Sequence, residues 1–88
     1  MKTTIRTQEV SIEKPNIFPN PAHGWLTVAL KEPNGVFEMY DLTGRMVFSK
    51  RLVSGENRVT PSLISGVYFA RIMVHRATLM TAKVIWQP

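Results

Sequence analysis

Apolar and polar residues alternate with a period of two along much of this chain, in short stretches separated by residues that reverse its direction. Leu26, Val28 and Leu30 alternate with Trp25, Thr27 and Ala29. Val36 to Tyr40 sets Phe37 and Met39 against Glu38, and Val67 to Val74 sets Tyr68, Ala70, Ile72 and Val74 against Val67, Phe69, Arg71 and Met73. Met46 to Leu52 has the mixed polarity of an edge strand, Asn57 to Thr60 is short, and Leu79 to Trp86 closes the pattern. No stripe with the 3.6-residue helical period outlasts a turn. Successive side chains of a strand point to opposite faces, so each stretch has one face to bury. Strands recurring about every 8–12 residues with turn signals between them predict an all-β sandwich.

The connections are read from turn chemistry. Lys31-Glu32-Pro33-Asn34-Gly35 is expected to be a hairpin loop and Asp41-Leu42-Thr43-Gly44 a tighter one. Ser54 to Asn57 and Val74 to Thr78 are further turns, the last without Gly or Pro. Residues 1–14 are polar and Thr-rich, and are expected to be a linker or to hold an upstream strand around Glu9 to Glu13. Residues 15–88 then form one domain.

A chain of 88 residues without cysteine has no disulfide or thiolate–metal staple. At this size only about 60–65% of the unfolded surface is buried, so stability must come from strand faces and good turns. The first residues are basic but lead into no apolar stretch of a secretory signal. No run approaches the ~20 apolar residues of a membrane helix. The net charge is +5, and no acidic residue follows Glu56, whereas Arg58, Arg71, Arg76 and Lys83 do. Such an imbalance suits nucleic acid, an anionic membrane or lipopolysaccharide surface, or an acidic partner protein. Cations that flank strands and block edges against aggregation account for it as well.

Three short motifs stand out against this background. In Pro19-Asn20-Pro21-Ala22-His23-Gly24 each Pro fixes its own φ and constrains the residue before it, which predicts an extended, polyproline-like approach. Gly24 then permits a sharp turn into the Trp25 strand. In Tyr40-Asp41-Leu42-Thr43-Gly44-Arg45 the Asp41 carboxylate is placed to accept bonds from turn amides, and Gly44 to supply the positive φ of a bulged hairpin. Arg45 leaves the turn outward, within reach of Asp41 or Glu38. Leu63-Ile64-Ser65-Gly66-Val67-Tyr68 has the form of a tyrosine corner: Leu63 plugs the core, Gly66 turns the chain, and the Tyr68 hydroxyl bonds back to upstream backbone. Any one of these is common turn chemistry with a purely structural role.

The motifs, in this order and followed by a strand from Lys83 through Val84, Ile85 and Trp86, resemble the C-terminal sorting domain of the type IX (Por) secretion system of Bacteroidetes. The resemblance covers about Ile17 to Gln87. It implies an immunoglobulin-like β-sandwich of about seven antiparallel strands that serves as an address tag on a parent protein. The tag is recognised in the periplasm by type IX translocon and shuttle proteins, and the parent crosses the outer membrane to the cell surface or beyond. In many members a surface sortase then removes the tag and the parent is joined to anionic lipopolysaccharide. The parent would need its own export signal, so the resemblance implies that this chain is a piece of a longer protein. The residues matching the family's motifs are Pro19, Asn20, Pro21 and Gly24; Asp41, Gly44 and Arg45; Leu63, Gly66 and Tyr68; and Lys83, Val84 and Ile85. The last strand is expected to leave one edge free, open to strand addition or to dimerisation by strand exchange.

No catalytic site is expected. His23 and His75 lie in separate loops without a third ligand, so no metal site is indicated. Ser49, Ser54, Ser62 and Ser65 lack a His and Asp constellation, and no Gly-rich phosphate loop is present, so no cofactor is expected. A carbohydrate-binding sandwich is the alternative and needs coplanar exposed aromatics, for which only Trp25 and Phe48 are candidates. A nucleic-acid-binding barrel would bind with steep salt dependence, and nucleic acid is not the expected partner.

Overall fold

A computed structural model describes residues 14–88. The expectation of a linker or an upstream strand within residues 1–14 falls almost wholly outside the described residues. The fold is all-β, two sheets packed face to face. The strands are β1 (Asn16–Phe18), β2 (Ala22–His23), β3 (Leu26–Leu30), β4 (Gly35–Tyr40), β5 (Met46–Leu52), β6 (Gly55–Val59), β7 (Gly66–Val74) and β8 (Ala77–Gln87). One sheet has the order β1-β3-β6 and the other the order β2-β8-β7-β4-β5. The predicted edge strand Met46 to Leu52 is an edge strand, β5.

The inward faces follow the alternation. Phe37, Met39, Ala70, Ile72, Val74, Val84 and Trp86 of the larger sheet meet Ile17, Leu26, Val28, Leu30 and Val59 of the smaller one in a single buried cluster. Burying side chains of this kind contributes about 1.5–3 kcal/mol each before chain entropy is set against it.

Among the described residues only two connections are hairpins. β4 and β5 pair through the Asp41–Gly44 turn, with a bulge at Met39/Tyr40. β7 and β8 pair through a two-residue turn in which His75 (φ 54°) and Arg76 (φ 65°) are both left-handed, the requirement of a type I′ turn. The other connections change sheet. Lys31 to Asn34 carries the chain from β3 in the smaller sheet to β4 in the larger, so the expected hairpin there is a sheet crossing. The same holds at Ser54, and the Gly55–Asn57 part of the expected turn belongs to β6. Gly, Pro and Asn favour a break in a strand whether the next strand pairs with it or crosses the core.

The β5–β6 crossing is held by a residue without an obvious sequence signal. Asn57 is buried on the inner face, and its side-chain amide donates to Val53 O at 2.9 Å and Val28 O at 3.2 Å. Its Oδ1 accepts the Val53 N–H at 2.9 Å. A buried amide satisfied on both sides costs little to bury and fixes the loop it spans.

The strands are not all antiparallel. β2 runs parallel to β8, with Ala22 opposite Trp86 and His23 opposite Gln87. That short pairing brings the first motif to the last strand.

Candidate recognition site

The topology gathers the motifs at one end of the five-stranded sheet. Tyr40 at the end of β4 is opposite Phe69 near the start of β7 and opposite Met46 at the start of β5. Gly66, which begins β7, is opposite Trp86 near the end of β8, and Ala22 lies against the same Trp86 from the other side. The Asp41 turn, the Leu63–Gly66 corner, the end of the last strand and the Pro19–Gly24 segment therefore share one end.

Pro19-Asn20-Pro21 departs from the expected extended approach. The peptide bonds before Pro19 and Pro21 are both cis, and the chain bends at Asn20 and Pro21. The Asn20 side chain is turned onto the outer edge of β8. Its Nδ2 donates to Lys83 O at 2.8 Å, and its Oδ1 accepts the Ile85 N–H at 3.0 Å. A primary amide presents the same donor and acceptor as a peptide group, so Asn20 stands where a neighbouring strand would pair. Gly24, with φ +83°, then donates its N–H to Gln87 O at 2.7 Å. The edge of β8 from Lys83 to Gln87 is thus occupied by the chain itself. The expectation of a free edge there is corrected: strand addition would first have to displace Asn20 and β2.

The corner closes as the sequence predicts. Tyr68 is buried and its hydroxyl donates to Ile64 O at 2.8 Å. Leu63 packs against the core, and its carbonyl accepts Trp86 Nε1 at 3.1 Å, which ties the corner to the last strand. Gly66 plays a smaller part than expected. Its φ is not left-handed, and an added Cβ would meet Tyr68 Cε1 at 3.8 Å, an ordinary contact. The chain bends at Ser65, and Gly66 already belongs to β7.

The Asp41 turn is self-contained. Asp41 Oδ1 accepts the Thr43 hydroxyl at 2.6 Å, the Thr43 N–H at 2.9 Å and the Arg45 N–H at 3.1 Å. Gly44 takes φ +90° and donates its N–H to Asp41 O at 3.0 Å. The Thr43 hydroxyl, followed by the Arg45 amide, holds the Asp41 carboxyl below its ordinary range. Arg45 Nε lies 3.4 Å from Asp41 Oδ2 with its side chain mostly in solvent, so the ion pair adds little. Glu38 is engaged elsewhere. It accepts Tyr40 OH at 2.7 Å and Arg71 Nη2 at 2.8 Å, and Arg71 Nη2 also lies 2.9 Å from Tyr40 OH. The Tyr40 bond first, and then Arg71, depresses the Glu38 carboxyl; the same carboxylate pushes the Tyr40 phenol up. Glu38 and Tyr40 share a strand face by spacing, but Arg71 could be added only once the β4–β7 register was known.

Along β8, Lys83 and Ile85 face solvent while Val84 and Trp86 are fully packed. Val84 therefore serves the core and not a surface. Six of the eight large apolar side chains exposed among the described residues also lie at this end: Leu42, Met46, Ile64, Val67, Phe69 and Ile85.

The aromatic platform of a sugar-binding module is not formed. The Arg58 guanidinium lies over the Trp25 ring at 4.0 Å, and Phe48 packs edge-on to Phe37 with ring centres 6.2 Å apart. Among the described residues no three of His, Cys, Asp and Glu come together as metal ligands, and no helix is long and apolar enough to cross a membrane.

Comparison with known proteins agrees with this geometry. A search of curated proteins finds no match. The sequence model of the family described as "Secretion system C-terminal sorting domain" matches residues 16–87, from the first strand through the last. That family is not a catalytic one. Its sorting signal directs the protein that carries it to the cell surface or the extracellular space through the type IX secretion machinery. The chain belongs to this family, and its function is that of a C-terminal sorting signal for type IX secretion.

Proposed function

We propose that residues 15–88 are read as a folded address tag, and that the reader contacts the end of the five-stranded sheet where the motifs meet. One observation carries this reading: the Asn20 side chain is bonded to Lys83 and Ile85, residues 63 and 65 positions away in sequence. Only the folded domain brings the first and last motifs together, so a reader of the whole set must meet it folded. Within that reading Asn20, Lys83, Ile85, Arg45 and the Asp41–Gly44 turn supply surface. Pro19, Pro21, Gly24, Leu63, Gly66, Tyr68 and Val84 hold it in place.

The tag acts by being bound, without catalysis, cofactor or nucleic acid. The parent protein enters the periplasm by a separate signal, is delivered by type IX translocon and shuttle proteins, and in the cleaved form loses the tag to a surface sortase before attachment to anionic lipopolysaccharide. Dimerisation by exchange of β8 would have to carry the Asn20 and β2 contacts with it.

The test is a periplasmic reporter fused to this domain in a type IX-competent bacterium, with surface and periplasmic fractions measured. Wild-type fusion is expected at the surface. Val84→Asp, which buries a charge in the core, is expected to leave the reporter in the periplasm. Surface delivery of the unfolded variant at the wild-type rate would overturn the folded-tag reading.

A further inference from the structure

The outer face of the five-stranded sheet is divided into rows by the strand register. Nearest the motif end, Ile85 of β8 is opposite Val67 of β7. In the next row Lys83, Phe69, Tyr40 and Met46 lie side by side across β8, β7, β4 and β5. The row after that changes character: Thr81, Arg71, Glu38 and Ser49 are polar or charged. Alternation alone would make every outward position polar on a sheet that faces water. Here the polar rule holds for the Arg71 row and fails for the two beside the motifs, where Val67, Phe69, Ile85 and Met46 are 36%, 48%, 39% and 47% exposed. The far row, with Val36 opposite Met73, is also apolar at that pair but half-buried.

The charges around this band have one sign to spare. The Glu38 carboxylate is held by Arg71 and Tyr40, and that of Asp41 by Thr43 and Arg45. Lys83 stands inside the band, exposed and with no carboxylate within ion-pairing distance among the described residues. We propose that this apolar band is the docking surface for a receptor protein whose contact area is itself apolar and carries a carboxylate opposite Lys83. The proposal rests on the sorting-signal reading and names the chemistry of the partner at that site. A contiguous apolar patch rimmed by polar residues is the form a protein interface takes, with the aromatic Phe69 near its centre as anchor. A second copy of this chain fits poorly, because its net charge is +5 and Lys83 lies within the patch that would face itself. An anionic lipid surface also fits less well. Such surfaces are gripped by clusters of about 4–8 basic residues, whereas the band holds one, and the exposed Lys50 and Arg51 lie toward the far end of β5.

The experiment uses the same reporter fusion with outward-facing substitutions that keep strand propensity and leave the core alone. Phe69→Thr combined with Ile85→Thr is expected to keep the melting temperature while surface delivery falls about tenfold, the scale of losing a central interface anchor. Lys83→Glu alone is expected to slow delivery severalfold, and Lys50→Ser with Arg51→Ser to leave it unchanged. If wild type is delivered and the folded band variants are delivered equally fast, the band is not the docking surface and the sorting reading stands. If the wild-type fusion stays in the periplasm, the sorting reading fails and takes this inference with it. Flotation of the purified fusion with phosphatidylglycerol–phosphatidylethanolamine vesicles, lost in the Phe69→Thr/Ile85→Thr variant, would overturn the proposal in favour of a lipid surface.

Discussion

The amide N–H of Ile85 is bonded at 3.0 Å to the side chain of Asn20, which precedes it by 65 residues. With the reciprocal bond from Asn20 to Lys83 O, this side chain replaces a strand at the edge of β8. The pairing makes the Pro-Asn-Pro segment part of the last strand's environment. Asn20→Ala should therefore cost about 1–2 kcal/mol, the loss of two modest hydrogen bonds. Amide hydrogen exchange should report it locally: the Ile85 amide loses protection while the Ile72 amide, deep in β7, changes only with global stability. Unchanged exchange at Ile85 would show that Asn20 does not hold the edge.

The corner yields a pair of opposite expectations. Tyr68→Phe leaves the Ile64 carbonyl without its partner and should cost about 1–2 kcal/mol. Gly66→Ala should shift stability by no more than about 0.5 kcal/mol, because its φ is not left-handed and the new methyl meets only ordinary contacts. Gly44→Ala, at φ +90°, should cost about 1–2 kcal/mol. Chemical denaturation of the three variants separates these cases.

At the β7–β8 turn the chain departs from its best local sequence. His75 and Arg76 hold left-handed conformations that favour Asn and Gly. Arg76→Gly is expected to stabilise the domain by about 0.5–1 kcal/mol, read as a raised melting temperature.

Acid should destabilise the fold in a definite window. The carboxyls of Glu38 and Asp41 both have folded pKa values depressed below their ordinary ones, Glu38 chiefly by Tyr40 and Asp41 chiefly by Thr43. A depressed carboxyl contributes stability that is fully present above its unfolded value, roughly 4.3 for Glu and 3.9 for Asp. That contribution is lost as pH falls through the lower folded values. Melting temperatures measured from neutral pH downward should fall below about pH 4, and Glu38→Gln should flatten part of that slope. Tyr40 gives the alkaline counterpart: its phenol is raised by Glu38, so its contribution is present below about pH 10 and is lost as pH climbs through the folded value.

The inward faces could be read from sequence because strand alternation is local. Leu26, Val28 and Leu30, Phe37 and Met39, and Tyr68, Ala70, Ile72 and Val74 could be assigned to the core without knowing what they pack against. The Asp41 turn and the Tyr68 corner were readable for the same reason, since their partners lie within four residues. Which strands pair was not readable. A Gly- or Pro-rich break looks the same before a hairpin and before a sheet crossing, so Lys31 to Gly35 suggested a hairpin where the chain changes sheet. Tertiary structure alone decided the parallel pairing of β2 with β8, the seat of Asn20 on Lys83 and Ile85, and the Glu38–Tyr40–Arg71 cluster. It also decided the apolar rows of Val67, Phe69 and Ile85, because their adjacency depends on cross-strand register. Register is set by how two whole faces fit over the core, and no short segment of the chain carries that information.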